Sequence, residues 1–326
     1  MAMKNDKKVF ILIEAVLAAI VLAMAIFLLS EKSERDMDKV SVIVQNSGDN
    51  QWAAFIYGLK MAASDQKVEL LVVNTEAMLT VEEQKGLIES EIENGADAII
   101  VQPVPGLDTQ EMLKRVRNRV PVMQAGCAAT KERDASVLPT TEPDHYAMGK
   151  ALAEELLNDY NGNLDGKTIG ILMEAGDSEA SKKRKQGFKD GIKDAGAKIR
   201  WTAARTFEED GDASLEDQPE ADLVVALDDN SLTTAGECSA ANNLHGAIVY
   251  GIGNSTEAAY YLDAGYVECL VVPDEFNVGY QSLTEIAESL GNRLRRSRDI
   301  TVSYTIIRSD TLFSKENQEI LFTMSQ

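Results

Sequence analysis

Histidine and cysteine are both scarce in this chain of 326 residues. There are two histidines, His145 and His245, and three cysteines, Cys127, Cys238 and Cys269. No two cysteines form a C-x-x-C pair, so a zinc site is not expected. So few cysteines also exclude a disulfide scaffold. At most one bridge can form, and the sequence does not choose its pair. No nucleophile–base set is evident, so neither enzyme activity nor a cofactor is expected. Positive charge is the minority sign: 32 Lys and Arg face 53 Asp and Glu, a formal net charge of −21. Nucleic acid and anionic membrane surfaces are polyanions, so neither is expected as the main partner. Hydrophobic residues make up 44% and charged residues 26%, which suffices for a packed core and argues against disorder.

A long apolar run stands near the N-terminus. It extends from Val9 to Leu29, carries Glu14 as its single charge, and follows Lys4, Lys7 and Lys8. As a helix it would be roughly 32 Å long, close to the hydrocarbon thickness of a bilayer. A secretory apolar region is shorter. The small-residue triplet Ala23-Met24-Ala25 lies inside the run, so the helix is expected to stay uncut. No cysteine follows closely, which excludes a lipidated anchor there. The lysines should stay inside. The expectation is a cytoplasmic stretch 1–8, a single-pass transmembrane signal anchor 9–30 in the cell membrane, a linker 31–39, and an extracytoplasmic remainder.

From Val40 onward, strand and helix patterns alternate. Strand runs are read at Val40–Gln45, Val68–Val73, Ala98–Val101 and Val120–Gln124, with helices at Gln51–Ser64, Thr80–Glu93 and Thr109–Arg119 between them. Thr80 with Glu83 forms a capping box, and Gly95 ends that helix. The pattern then repeats. Helices are read at Pro143–Asp159, Ser178–Ala195, Ser231–Asn242, Thr256–Ala264 and Phe276–Leu290. Strands are read at Thr168–Met173, Lys198–Ala203, Leu223–Leu227, Ala247–Gly251, Val267–Val272 and Ile300–Ile307. Near-continuous apolar strands between helices mark a parallel sheet covered on both faces. Phe207–Pro219 is acidic and reads as a loop with at most a short helix.

Several motifs bear on chemistry. Gly162–Thr168 superficially suggests a phosphate loop, but its spacing is short and it precedes its strand, so it reads as a turn. Gly251–Asn254 follows a strand and opens a helix without the third glycine of a dinucleotide fingerprint; it is either a turn or a ligand-lining loop. In Ser181–Lys185, the charges either make a solvated face or turn Lys182 or Arg184 into a cleft. Asp228 and Asp229 end a strand. They either form an acid–base pair, or cap the next helix, or accept hydrogen bonds from ligand hydroxyls. Asp49–Trp52 lies where the first strand meets the first helix. Trp52 is either core or an aromatic face for a ring-shaped ligand.

Together these stretches resemble the sugar-binding branch of the type I periplasmic-binding-protein family. The resemblance covers Val40 to Ile307. It rests on Gly48–Gly58, Asn94–Pro105 (NGADAIIVQPVP), Val120–Met123, Gly187-Phe188, Pro273–Tyr280 (PDEFNVGY) and the terminal ENQEILF. It implies an α/β fold of two Rossmann-like parallel-sheet lobes joined by a three-stranded hinge that closes on a small ligand. One lobe, on the membrane side, would hold 40–140 with 274–299. The other would hold 141–273 with 300–326. The ligand positions carried over are Asp49, Gln51, Trp52, Gln102, Cys127, Lys182, Asp228, Asp229 and Asn254. The family's Asp-Arg clamp falls on Gly126-Cys127, the Asp of its G-F-D motif on Gly253, and its hinge-side Gln on Pro273. The expected partners are a sugar-like small molecule and an ABC permease. Alternatively, a membrane histidine kinase would receive the signal from a sensory receptor of the same fold.

Overall fold

The computed structural model describes Leu17 and Ile20 and residues 37–75, 79–106, 108–129, 138–174, 178–205, 215–292 and 295–322. The chain divides into two units, Met1–Asp38 and Lys39–Gln326. In the first, Leu17 and Ile20 are helical and exposed. The rest of the expected anchor lies outside the described residues. Among the described residues no helix is long and apolar enough to cross a membrane.

The second unit alternates strand and helix. Its strands and helices are β1 (Lys39–Ile43), α1 (Ala53–Gln66), β2 (Glu69–Val72), α2 (Val81–Glu93), β3 (Ala98–Val101), α3 (Thr109–Arg117), β4 (Val122–Ala125), β5 (Thr140–Pro143) and α4 (His145–Asp159). There follow β6 (Thr168–Glu174), α5 (Glu179–Gly191), β7 (Lys198–Arg205), β8 (Leu223–Ala226), α6 (Asp229–Ala240), β9 (Ile248–Ile252) and α7 (Thr256–Asp263). The order ends with β10 (Cys269–Pro273), α8 (Glu275–Gly291), β11 (Ile300–Val302), β12 (Tyr304–Ile307) and α9 (Lys315–Leu321). One sheet is ordered β11-β5-β4-β3-β1-β2 and is parallel throughout. The other is ordered β12-β10-β9-β8-β6-β7, and only β12 runs antiparallel to its neighbour.

Both faces of each sheet are buried, which explains the continuous apolar runs. In the first sheet, Val40, Val42, Ala98 and Ile100 face a core with Phe55, Leu59, Val278 and Ile286. The alternate residues Ile43, Ile99 and Val101 face Ile88, Leu113 and Val116. In the second, Ile169, Ile171 and Val225 pack on Leu152, Leu156 and Phe188, while Leu172, Val224 and Ala226 pack on Leu232, Ala258 and Leu262. Successive strand residues point to opposite faces, so helices on both sides bury both sets in the central strands, while the edge strand β2 keeps Glu69 and Leu71 exposed. Each fully buried Val, Leu, Ile or Phe among them contributes about 1.5–3 kcal/mol.

Three local details differ from the sequence reading. Thr140–Pro143 is a strand between β4 and β11, and α4 begins only at His145, with the Asp144 side chain accepting from the Ala147 amide. The 300–307 segment is two strands, broken at Ser303, and Ile300–Val302 belongs to the first sheet. A C-terminal helix, α9, adds to the second lobe through Leu321. The Thr80–Glu83 capping box is present as read.

The chain passes between the lobes at Asp144, Asp274 and Ser303. The first two passages share one device. Pro143 and Pro273 each end a strand, and the following aspartate caps a helix. Proline lacks an N–H to continue a ladder, and aspartate accepts from the free amides of the first helical turn. The Asp274 amide also donates to the Ser303 carbonyl at 3.1 Å, tying two passages together.

Candidate functional site

A cleft opens where the C-terminal ends of the strands of both sheets meet. Gln45, Gln51 and Trp52 follow β1, and Gln102 follows β3. Gly126 and Cys127 follow β4, and Glu174 ends β6. Asp228 and Asp229 follow β8, Gly253 and Asn254 follow β9, and Glu275 follows β10. In both sheets the chain goes outward from one strand and then returns to its other side, at β1/β3 and at β6/β8. Crevices at such switch points are where open α/β sheets take ligands. The cavity volume is about 110 Å³, room for several water-sized groups and so for a small molecule.

The lobes touch across the mouth. Asn254 Nδ2 donates to the Gln51 carbonyl at 2.9 Å, and Asn50 Nδ2 to Glu257 Oε1 at 2.9 Å. Trp52 is both core and wall. Its ring packs edge-on against Phe55, its Nε1 donates to the Gln45 carbonyl at 2.9 Å, and the rest lines the cleft.

Arg184 reaches in from α5. Its Nε donates to His145 Nδ1 at 3.1 Å, and one terminal nitrogen donates to the Leu227 carbonyl at 2.9 Å. Arginine can only donate, so His145 Nδ1 must accept. His145 is therefore the neutral tautomer, and its Nε2–H donates to the Gly126 carbonyl at 2.7 Å. Burial lowers the Arg184 pKa, and the carboxylates Asp228, Glu275 and Glu174 oppose that fall.

The carboxylates divide into two groups. Asp228 is held by the Glu174 and Ser231 amides at 2.6 and 2.9 Å, and Asp229 Oδ1 by the Asn254 and Ser255 amides at 2.7 and 2.8 Å. Burial still pushes Asp229 up to about 6. Among the described residues, no such amide donates to Glu174 or Glu275. Burial, with Asp228 adding to it, pushes Glu174 up to about 7. Burial also pushes Glu275 up to about 7 against the pull of Arg184. Burial, with Glu142 adding, raises the Cys127 thiol to about 12, so it stays protonated and unreactive.

Of the residues singled out from sequence, Gln51, Trp52, Gln102, Cys127, Asp228, Asp229 and Asn254 line the cleft. Asp49 stands behind it, accepting from the Gln51 amide and side chain. Lys182 does not line it; its ammonium lies 3.5 Å from Glu179 on the outer side of α5. Arg184 takes the inward place, because it lies one helical turn beyond the buried Ser181. Glu174, Ser178 and Glu275 escaped the sequence reading. The three cysteines are free thiols, so no disulfide forms among them.

Comparison with known proteins fits this geometry. A search of curated proteins finds no match. Among solved structures, a carbohydrate transporter solute-binding protein from Agrobacterium radiobacter, in complex with D-arabinose, superposes with a TM-score of 0.76 at 17% identity, covering 89% of this chain and 100% of the other. GanP, a glucose-galactose binding protein from Geobacillus stearothermophilus, gives 0.73 at 16% identity over 86% and 100%. A sugar transporter from Clostridium phytofermentans gives 0.69 at 20% identity over 83% and 99%. The model of the periplasmic binding protein domain matches residues 40–293. With two parallel-sheet lobes meeting at a cleft built from their strand ends, the chain belongs to the periplasmic binding protein domain family.

Proposed function

We propose that this protein is an extracytoplasmic solute receptor for an ABC importer. It captures a small polar, sugar-like molecule in the cleft, and the lobes close about the passages at Asp144, Asp274 and Ser303. The run over residues 9–30 anchors it to the membrane. The cleft residues Gln51, Trp52, Gln102, Cys127, Asp228, Asp229 and Asn254 contact the ligand or frame it. The observation that carries this reading is the pair of hydrogen bonds across the mouth, Asn254 to Gln51 and Asn50 to Glu257. They hold together two lobes that are otherwise separate sheets with separate cores. The D-arabinose complex and the glucose-galactose binding protein of the same fold support the ligand class.

Binding to the folded state raises stability by mass action, by about 2.7 kcal/mol at a ligand concentration a hundred times Kd. Thermal melts of the full-length protein with pentoses, hexoses, polyols and their amino and acidic derivatives are expected to show an upward shift for at least one. A flat result across the panel would refute the receptor reading. Asn254→Ala is expected to weaken the ligand found about five- to tenfold, as loss of one hydrogen bond of the closed form. Titration calorimetry would register this, and unchanged affinity would separate that bond from closure.

A further inference from the structure

The cleft is short of positive charge. Asp49, Glu174, Asp228, Asp229 and Glu275 stand in or against it, and Arg184 is the one cation among its described lining residues. Arg184 directs its hydrogen bonds at His145 and the Leu227 carbonyl, and no ion pair joins it to Glu174 or Glu275 among the described residues. His145 adds no charge, since its Nδ1 accepts. Lys182 and Lys183 pair with Glu179 and Glu142, outside the cleft. Asp228 and Asp229 are supplied with backbone amides. Among the described residues, Glu174 and Glu275 are not.

A second observation points the same way. Glu275 Oε2 is shielded from solvent, lines the cleft and has no hydrogen-bond partner among the described residues. The same holds for Gln45 Oε1. Buried acceptors without donors are uncommon in folded proteins and costly to leave so. Whatever fills the cleft must bring donors. A neutral hydroxyl brings one donor and leaves the carboxylate charge uncompensated. An ammonium brings three donors and the missing charge.

Building on the receptor reading, we propose that the ligand is cationic: a protonated primary amine on a small hydroxylated frame, of the amino-sugar class, with its ammonium against the Glu275 carboxylate. The amide side chains of Gln51, Gln102 and Asn254 and the ring of Trp52 suit the hydroxylated part.

The test is titration calorimetry on the full-length protein at about pH 7. The probes are D-glucosamine and D-galactosamine, the parent sugars D-glucose and D-galactose, and the N-acetyl derivatives, which keep the frame and remove the charge. At least one amine is expected to bind about tenfold or more tightly than both of its uncharged partners, one charge-assisted contact being enough for that ratio. Glu275→Gln should erase most of that preference. The change is isosteric and removes a buried charge, so the melting temperature should not fall. A parent sugar that binds as tightly as its amine overturns the cationic ligand and leaves the receptor reading standing. Silence from every probe overturns the cationic amino-sugar proposal. It reaches the receptor reading only if the wider ligand panel is silent too.

Discussion

Gly187→Ala is expected to cost about 3 kcal/mol and to lower the melting temperature by several degrees, although it adds a single methyl group. Helices α4 and α5 cross so closely that a Cβ on Gly187 would overlap the Tyr146 carbonyl, and one on Gly149 would overlap that of Arg184. The atoms in the way are backbone, which no rotamer change can move, so the helices must part. The first lobe repeats the arrangement, with Gly58 against the Phe276 carbonyl and Gly279 against that of Phe55. Parting α5 from α4 also shifts Ser181 and Arg184, so ligand affinity should fall with stability. Gly86→Ala is the control. It lies in α2 with nothing within 4 Å of the added carbon, and should be stabilising by up to about 1 kcal/mol. The double variant Gly149→Ala/Gly187→Ala should lose less than the sum, because one separation relieves both overlaps. Urea melts of the wild type, the single variants at Gly86, Gly149 and Gly187, and the double variant would decide. Equal effects at Gly86 and Gly187 would show that helix propensity, not the crossing, sets the loss.

The frame was legible because its strands are buried on both faces. Ala98–Val101 reads directly as AIIV, and in the structure its residues alternate between two cores. Thr140–Pro143 was not legible. T-T-E-P has neither an apolar run nor alternation, and it becomes a strand only through its neighbours β4 and β11. The split at Ser303 was hidden for a similar reason, since both halves are β-prone and only their pairing with different sheets separates them. At the cleft, the rule that ligands sit beyond strand ends found Asp228, Asp229 and Asn254. Applied to every strand, it would also have found Glu174 and Glu275. Choosing Arg184 over Lys182 needed the phase of α5, and Ser181, Arg184 and Phe188 carry that phase at three- and four-residue spacing. Unpaired charge in the cleft was not legible at all, because it depends on where the Arg184 hydrogen bonds go.

Arg184→Ala should be the most damaging single substitution in the cleft, and its cost should grow with pH. The arginine satisfies His145 Nδ1 and the Leu227 carbonyl, and it is the nearest compensating charge for Glu174, Asp228 and Glu275. Removing one partner from a buried set of charges typically costs about 3–5 kcal/mol, because the remaining charges stay desolvated and uncompensated. In the wild type without ligand, Glu174 and Glu275 keep their protons up to about pH 7, whereas in the unfolded chain they release them near 4.5. Between those values the native state binds more protons than the unfolded state, so stability falls as pH rises and levels off above about 7. Asp229, raised to about 6, adds to the same slope. Glu83 and Asp222 are shifted the other way, and their contribution is lost only in the acid range below this window. Without Arg184 the carboxyls should hold their protons to still higher pH, which steepens and extends the decline. The variant is therefore expected to approach wild-type stability near pH 5 and to fall furthest behind near pH 8. Thermal melts of both proteins across that range measure the gap directly. A gap that stays constant with pH would mean that Arg184 acts through its two hydrogen bonds alone, and that the cleft carboxyls do not feel its charge.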